Sequence, residues 1–340
     1  MADLAKIKEF LYENGGVVAP GAILEEESYL PEEIVDTGTA TNLEAVENKR
    51  IETFDRSDLC FFEDGIQRTL YVGHLIANGF HIPIHYCTVA AVILERRERR
   101  FRLAKDLFKK REMLLVSRAN VPNQESFEAL EEAGIEVVDT EGPTRNFNKL
   151  CRDAQYYAKK IRLDLEAEIL ALLAENVDDG SFCVVDGTVM NLRVEEALPR
   201  CIGVSKQILE RHFELSNHRL IHNLNFGERS WVFRFKTEDG DQRMGGRDRL
   251  SWYLRIRETK GRHPEFGLLR CEISKEHAYR ATELADRLSA SVLAERFPIA
   301  FPDARWDRLL YPIHQCEQYL RSRCRPVSSI QATFGRTQRI

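Results

Sequence analysis

The sequence lacks the features that mark several common classes of protein. Its eight cysteines lie scattered through apolar segments with no Cys-x-x-Cys pair, so neither a disulfide framework nor a zinc ribbon is predicted. It has no apolar run of roughly 18 residues, and the N-terminus carries charges where a signal peptide would be apolar. We therefore expect reduced thiols and a cytoplasmic protein that does not enter a membrane.

The sequence is also not strongly basic. The formal net charge is -5 over 340 residues, which argues against a histone-like nucleic-acid wrapper but is compatible with a local basic groove. No glycine-rich segment carries the Lys and Ser/Thr of a phosphate loop, so any ATP-driven step would belong to a partner protein. With 43% hydrophobic residues the chain is long enough for one elaborated domain or two smaller ones.

The order of patterns along the chain predicts three parts. Residues 1–55 combine a short amphipathic helix with an acidic, irregular stretch, which we interpret as an N-terminal docking arm. Residues 56–325 begin with three apolar or alternating runs separated by Gly, Asn and Pro, as in hairpin-linked strands. A long helical pattern from about Asn146 to Glu175 then leads into another strand, and further strands and helices follow. Residues 326–340 are predicted to be a flexible tail.

Two apolar runs end in Asp-Gly, at Asp64 in FFEDG and at Asp186 in VVDG. Asp-Gly alone is most often a turn. Three strands, a helix and a fourth strand carrying the second acid, however, follow the order of the ribonuclease H-like α/β fold, a mixed sheet flanked by helices. That order would bring the two aspartates together, each with a glycine that turns the chain sharply at an open strand end. Glu63 should point away from Asp64, as a surface or salt-bridge residue, because side chains alternate along a strand.

Several motifs together resemble the NurA family, the nuclease partner of the HerA-type hexameric DNA translocase. They span about Leu59 to Tyr319 and are FFEDG, VVDGTV, CIGVSK, RCEIS and RWDRLLYPIHQCEQ. The resemblance implies a DNA nuclease that uses Mn²⁺ or Mg²⁺, of the single-strand endonuclease and 5'–3' exonuclease type. It also implies a homodimer that works with a HerA-like ATPase on single- and double-stranded DNA ends, in end resection, repair or phage defence.

The resemblance further assigns roles to individual carboxylates. Asp64 and Asp186 would be metal ligands, which suits the preference of Mg²⁺ and Mn²⁺ for oxygen donors. A glutamate on the preceding helix would be the third ligand, and the sequence offers Glu166 and Glu168. Glu166 is slightly preferred because it lies one helical turn after Arg162, but both remain candidates.

The same resemblance assigns three residues nearer the C-terminus. Lys206 would sit near the scissile phosphate, and His314 would donate a hydrogen bond to phosphate, act as a general acid or bind metal. Trp306 stands where the family commonly has a tyrosine. It cannot supply a phenolic hydroxyl, although its ring could stack on a base.

Two basic segments are candidates for holding DNA. Residues 95–112 hold nine Lys/Arg against four acids. Such a segment is either a solvated helix or strand end or, beside a nuclease site, a surface that binds the phosphate backbone. A second segment, around residues 243–262, interleaves arginines with aromatic residues, as single-strand-binding surfaces do. The candidates are Arg96, Arg97, Arg99, Arg100, Arg247 and Trp252. Two alternatives stay open: a non-catalytic dimeric adaptor that binds DNA and regulates the ATPase, and a related enzyme acting on RNA or structured DNA.

Overall fold

The computed structural model describes residues 2–19, 23–25, 38–52, 54–98, 100–121, 125–140, 144–176, 181–189, 200–206, 215–237, 248–301 and 306–335. These contain seven α-helices: α1 (Leu4–Glu13), α2 (Glu125–Glu132), α3 (Phe147–Ala174), α4 (Leu215–His222), α5 (Ala281–Ala294), α6 (Tyr311–Arg323) and α7 (Val327–Gly335). They also contain fourteen strands: β1 (Val17–Val18), β2 (Ile23–Glu25), β3 (Gly38–Asn42), β4 (Lys49–Arg50), β5 (Phe61–Ala77), β6 (Phe80–Arg97), β7 (Arg100–Val116), β8 (Glu136–Asp139), β9 (Cys183–Asp186), β10 (Cys201–Ser205), β11 (Glu228–Arg229), β12 (Phe233–Thr237), β13 (Arg249–Arg255) and β14 (Leu268–Ser274). None of the described helices is long and apolar enough to cross a membrane.

All fourteen strands belong to one mixed sheet. Its main path runs β3-β12-β13-β14-β10-β9-β5-β6-β7-β8. In its centre β5, β6 and β7 pair antiparallel, while β9 joins the free edge of β5 in parallel and β10 joins β9 in parallel. The predicted mixed α/β sheet flanked by helices is therefore confirmed, with the strand after α3 lying beside the first long strand.

The central hairpin follows from its turn residues. β5 and β6 are joined by only two residues, Asn78 and Gly79, both with positive φ (51° and 80°). Asn-Gly is the dipeptide that tolerates this conformation at both positions, and a two-residue turn of this kind suits the twist of the flanking strands. The turn therefore sets the register of the hairpin near the loop, and a β-bulge between Tyr71 and Gly73 shifts it by one residue, which brings Asp64 opposite Val92.

The central sheet is covered on both faces, which is why consecutive residues of its strands are buried. On one face, called the α3 face, Cys183 and Val185 pack with apolar residues of α3. On the other, called the α6 face, Phe62 and Val184 pack with apolar residues of α5 and α6. Because side chains alternate along a strand, neighbouring residues of β5 and β9 point to different helices.

The first and last described helices pack together. The short amphipathic helix expected near the N-terminus is α1, and its Ile7 shares a core with Ile330 and Phe334 of α7. The Lys8 ammonium also donates to the carbonyl of Thr333 at 3.3 Å. The predicted flexible tail is thus wrong for residues 327–335, because their apolar positions are buried against α1. Residues 336–340 lie outside the described part of the chain.

Candidate active site

The edge of β5 that faces away from β6 changes partner near Asp64. It pairs with β9 up to Glu63 and with β2 from Arg68 onward. Between these positions no described strand pairs with that edge. β9 and β10 end here at Asp186 and Ser205. In open α/β sheets the carboxyl ends of parallel strands are the usual place for ligands, so this gap is the natural candidate for a site.

The structure brings Asp64 and Asp186 together at this gap. Continuing the β5–β9 register by one residue sets Asp186 beside Asp64, on the α6 face. Asp64 is only 8% exposed. Its Oδ1 accepts the Gly65 N–H at 2.9 Å, and its Oδ2 has no hydrogen-bond or ion-pair partner among the described residues. Asp186 Oδ2 lies 3.3 Å from the Lys206 ammonium, so the predicted lysine joins the pair.

The two Asp-Gly pairs do different things. Gly187 has φ +119° and its N–H donates to the Val204 carbonyl, so the chain turns there as expected. Gly65 instead remains in β5, paired with Ala91, and the predicted turn after Asp64 is wrong. A β-carbon on residue 65 would lie 1.9 Å from Glu166 Oε1. Gly65 therefore leaves room for an acid from α3.

This contact separates the two candidate glutamates of α3. The Glu166 side chain is 6% exposed, lies against Gly65 and accepts from Arg162 at 2.5 Å. The Glu168 side chain is 53% exposed and pairs with Lys109 of β7. Two residues further along a helix is about 200° around its axis, which explains why only one of them reaches the strand. The structure brings Glu166 to the site and leaves Glu168 outside it.

Glu63 was expected at the surface, and that prediction is wrong. It does point away from Asp64, but α3 covers that face of the sheet and leaves Glu63 1% exposed. Its Oε1 has no hydrogen-bond partner among the described residues. Burial, followed by repulsion from Glu166 and Asp64, raises the pKa of Glu63 well above its usual range. Glu63 is thus part of the acidic cluster.

Sequence reasoning missed a further acid, Glu317 of α6. Its Oε2 lies 3.4 Å from Nδ1 of the predicted His314, one helical turn earlier. Burial raises the pKa of Glu317, the nearby Lys206 ammonium opposes this, and the Asp186 carboxylate adds to it. The signal in the sequence was His-x-x-Glu inside HQCE, since i,i+3 spacing puts both side chains on one face of a helix.

The pKa of Asp64 reflects the charges of the whole cluster. Burial, then repulsion from Asp186 and Glu317, raises its pKa well above the usual range, with Lys206 opposing. Crowded, partly desolvated carboxylates attract a cation that would relieve their repulsion. Their oxygen donors suit Mg²⁺ or Mn²⁺. Among the described residues, however, no three His, Cys, Asp or Glu side chains already share the geometry of one metal ion.

Trp306 lies in a short 3₁₀ turn beside the lysine of the cluster. Its ring contacts Phe266 and Phe301, with centroids 5.5 Å and 4.6 Å away. In the same turn Arg308 donates to the main-chain carbonyl of Lys206 at 2.9 Å. Trp306 is partly exposed, so its use as a stacking surface remains a prediction.

The arginines of residues 95–112 are less available than their number indicated. Arg96 pairs with the buried Glu295 at 2.5 Å and donates to the Leu59 carbonyl at 2.7 Å, so it holds β6 to α5. Arg97 pairs with Glu95, Arg100 is exposed, and Arg99 lies outside the described residues. Arg97 is five residues along β6 from Val92, the partner of Asp64, which is about 17 Å at the usual strand rise.

The predicted contact of Trp252 with DNA is wrong. Trp252 is fully buried in β13, and its indole N–H donates to the Ser289 hydroxyl of α5 at 2.8 Å. All seven residues of β13 are buried, because the sheet is covered on both sides there. Arg247, the other candidate of that segment, lies outside the described part of the chain.

No protein-family model matches the chain, and a search of curated proteins gives no significant match.

Proposed function

We propose that the chain is a metal-dependent nuclease that hydrolyses phosphodiester bonds in DNA. The observation that carries the proposal is the adjacency of Asp64 and Asp186 at a gap in the sheet, with Lys206 paired to Asp186 and Glu166 reaching the same gap from the α3 face, beside Gly65. The fold supports it too: the order β7-β6-β5-β9-β10, with β9 and β10 parallel to β5, is the order expected of a ribonuclease H-like domain.

The proposed reaction forms a bond from water oxygen to phosphorus and breaks the bond to the leaving oxygen, which takes a proton. When bound, Mn²⁺ or Mg²⁺ supplies activation of water and neutralisation of phosphate charge. Asp64 and Asp186 are the residues that would hold it, with Glu166 as the proposed third ligand from the α3 face. We assign Lys206 to the phosphate, as the resemblance implies, and its ammonium lies at the site, 3.3 Å from Asp186 Oδ2. We assign His314, oriented by Glu317, to a phosphate oxygen or the leaving oxygen.

The wider setting of the proposal rests on the sequence motifs. Their resemblance to NurA leads us to propose a homodimer that works with a HerA-like hexameric ATPase in end resection, repair or phage defence. The ATPase would supply the translocation that this chain, without a phosphate-loop sequence, does not itself provide. Single-strand endonuclease and 5'–3' exonuclease activity are the expected forms of cleavage.

A non-catalytic DNA-binding adaptor is the second candidate. Two observations favour it: Lys206 already neutralises Asp186, and Trp306 stands in place of the expected tyrosine and packs between Phe266 and Phe301. Such a protein would keep the fold and the DNA contacts and would regulate its ATPase instead of cutting.

The test is cleavage of end-labelled single- and double-stranded DNA with Mn²⁺ or Mg²⁺, with and without the ATPase. Wild-type protein should cut, and Asp64→Asn and Asp186→Asn should lose at least 100-fold in rate, since a bound metal supplies several kcal/mol of transition-state stabilisation. Glu128→Gln, an exposed acid of α2, is the matched control. DNA binding without cutting under every condition favours the adaptor. Equal cutting by both aspartate variants removes the site assignment.

A further inference from the structure

Charge is unevenly distributed along α3, the helix that carries Glu166. Residues 147–162 hold five Lys or Arg and one acid, Asp153, whereas residues 163–175 hold four acids and no Lys or Arg. The acidic half reaches the site through Glu166. The basic half continues away from the site over the same face of the sheet, next to β5, where Phe147 contacts Tyr71.

Before Arg162, which pairs with Glu166, the cations of α3 differ from residues 109–111 of β7 in how their charges are used. In β7, Lys109 pairs with Glu168, Lys110 with Glu112 and Arg111 with Glu136. On α3, the side chains of Lys149, Arg152 and Lys159 form no ion pair or hydrogen bond with a described residue. Lys160 lies over the Tyr157 ring at 5.8 Å. Cations that form no ion pair with a described residue are available to bind phosphate.

The spacing on α3 aligns these charges with the site. Arg152, Lys159 and Glu166 are seven residues apart, nearly two helical turns, so they lie in one line with steps of about 10 Å. An exposed aromatic stands beside this line: Tyr156 is 51% exposed, with its ring edge-on to Tyr157 at 5.8 Å. We call Lys149, Arg152, Tyr156, Lys159 and Lys160 the α3 stripe.

We propose that the α3 stripe is a contact surface for single-stranded nucleic acid, with its cations on phosphates and Tyr156 stacked on a base. Cations interleaved with an exposed aromatic are what backbone-tracking, sequence-tolerant binding requires. An unpaired base is needed for stacking, which favours a single strand over a duplex. The claim that the strand is directed toward the Glu166 end of α3 rests on the proposed nuclease function. The claim that the α3 stripe binds single strands does not.

Binding is measured by fluorescence anisotropy of labelled oligothymidylate, in EDTA so that cleavage plays no part, over a range of salt concentrations. The combined variant Lys149→Gln, Arg152→Gln, Lys159→Gln should weaken binding at least tenfold and reduce the log–log salt slope by about 2, as three lost phosphate contacts predict. Tyr156→Ala should weaken it about 5- to 100-fold, and Tyr156→Phe should restore it.

The matched control changes three exposed cations elsewhere, Lys6→Gln, Lys275→Gln and Arg321→Gln, none of which pairs with a described residue. It should leave binding unchanged. Equal affinity in both triple variants, no binding by wild type, or binding of polyglutamate in preference to oligothymidylate would each overturn the proposal. Hydrolysis of bis(p-nitrophenyl) phosphate with Mn²⁺ is measured separately: its absence counts against the nuclease function and leaves the binding result intact.

Discussion

Gly65 and Glu166 share one space between β5 and α3. A β-carbon on residue 65 would lie 1.9 Å from Glu166 Oε1 and 2.8 Å from its Cδ. Since Gly65 is paired with Ala91 inside a regular strand, the glycine is not there for a turn. It is there because any side chain would displace an acid from the cluster.

Gly65→Ala should therefore push Glu166 away from the strand. We expect DNA cleavage to fall at least tenfold and the free energy of unfolding to fall by roughly 1–3 kcal/mol, because the buried Arg162–Glu166 pair is disturbed. Cleavage rate and urea unfolding measure the two effects. The double variant Gly65→Ala, Glu166→Gln should be no less active than Glu166→Gln alone. Additive losses would mean that the glycine acts by another route.

Glu166→Gln and Glu168→Gln form a matched pair on one helix. The first should lower Mn²⁺ affinity and cleavage by tenfold or more, since it removes a charge that lies at the strand beside Asp64. Glu168→Gln removes only an exposed partner of Lys109, so it should change Mn²⁺ affinity and cleavage rate by less than about twofold each. Mn²⁺ titration followed by electron paramagnetic resonance gives the affinity directly. A larger effect at Glu168 would reverse the assignment.

Asp64→Asn should stabilise the metal-free protein at neutral pH, by an amount on the order of 1–3 kcal/mol. Burial and then Asp186 and Glu317 raise the pKa of Asp64, so the folded state keeps its proton to higher pH than the unfolded chain. Protonated Asp64 therefore contributes stability at pH values below its pKa in the unfolded chain. This contribution is lost as the pH rises toward and through the pKa of Asp64 in the folded protein.

The difference between the wild type and Asp64→Asn should therefore shrink as pH falls toward about 4. Urea unfolding in EDTA at several pH values measures it. Mn²⁺ should raise the melting temperature of the wild type and not of the variant, because a ligand that binds only the folded state stabilises it. A less stable variant at neutral pH without metal would contradict the electrostatic account.

Glu317→Gln should weaken Mn²⁺ binding and cleavage by about tenfold. The substitution removes a negative charge near Asp64 and Asp186 that would attract the metal ion, and also an acceptor for His314. Each such loss corresponds to about 1.4 kcal/mol. Gln318→Glu, one residue on and exposed, adds a carboxylate to the outside of α6 and should have no effect. If both variants behave like wild type, Glu317 is only a buried neighbour of the site.

Trp252→Phe tests the correction on the basic C-terminal segment. The change removes the hydrogen bond to Ser289 and part of a buried ring, so the free energy of unfolding should fall by about 1–2 kcal/mol. Oligothymidylate affinity of the folded variant should equal that of the wild type. A loss of affinity without a loss of stability would restore Trp252 as a nucleic-acid contact.

The sequence by itself determined the alternation of strands with helices and the two aspartates most worth testing. Its first two predicted strands, however, are the single strand β5, and the basic segment after β6 forms β7. Hydrophobic alternation and Asn-Gly specify the β5–β6 hairpin, and the 3.6-residue period specifies α1 and α3, because these are local preferences. The apolar run into Asp-Gly identified Asp64 and Asp186. Their adjacency was expected, and the parallel pairing of β5 with β9 places the two strands side by side.

Only the tertiary structure decided which other residues belong to the site. The sequence predicted an exposed Glu63 and a Trp252 that stacks on bases. In the structure α3 buries Glu63 and α5 covers Trp252. Glu317 reaches Asp64 from a helix some 250 residues later in the chain. Periodicity tells which way a side chain points along its own strand or helix, whereas burial and charge depend on what packs against it, and that is set by contacts between distant segments.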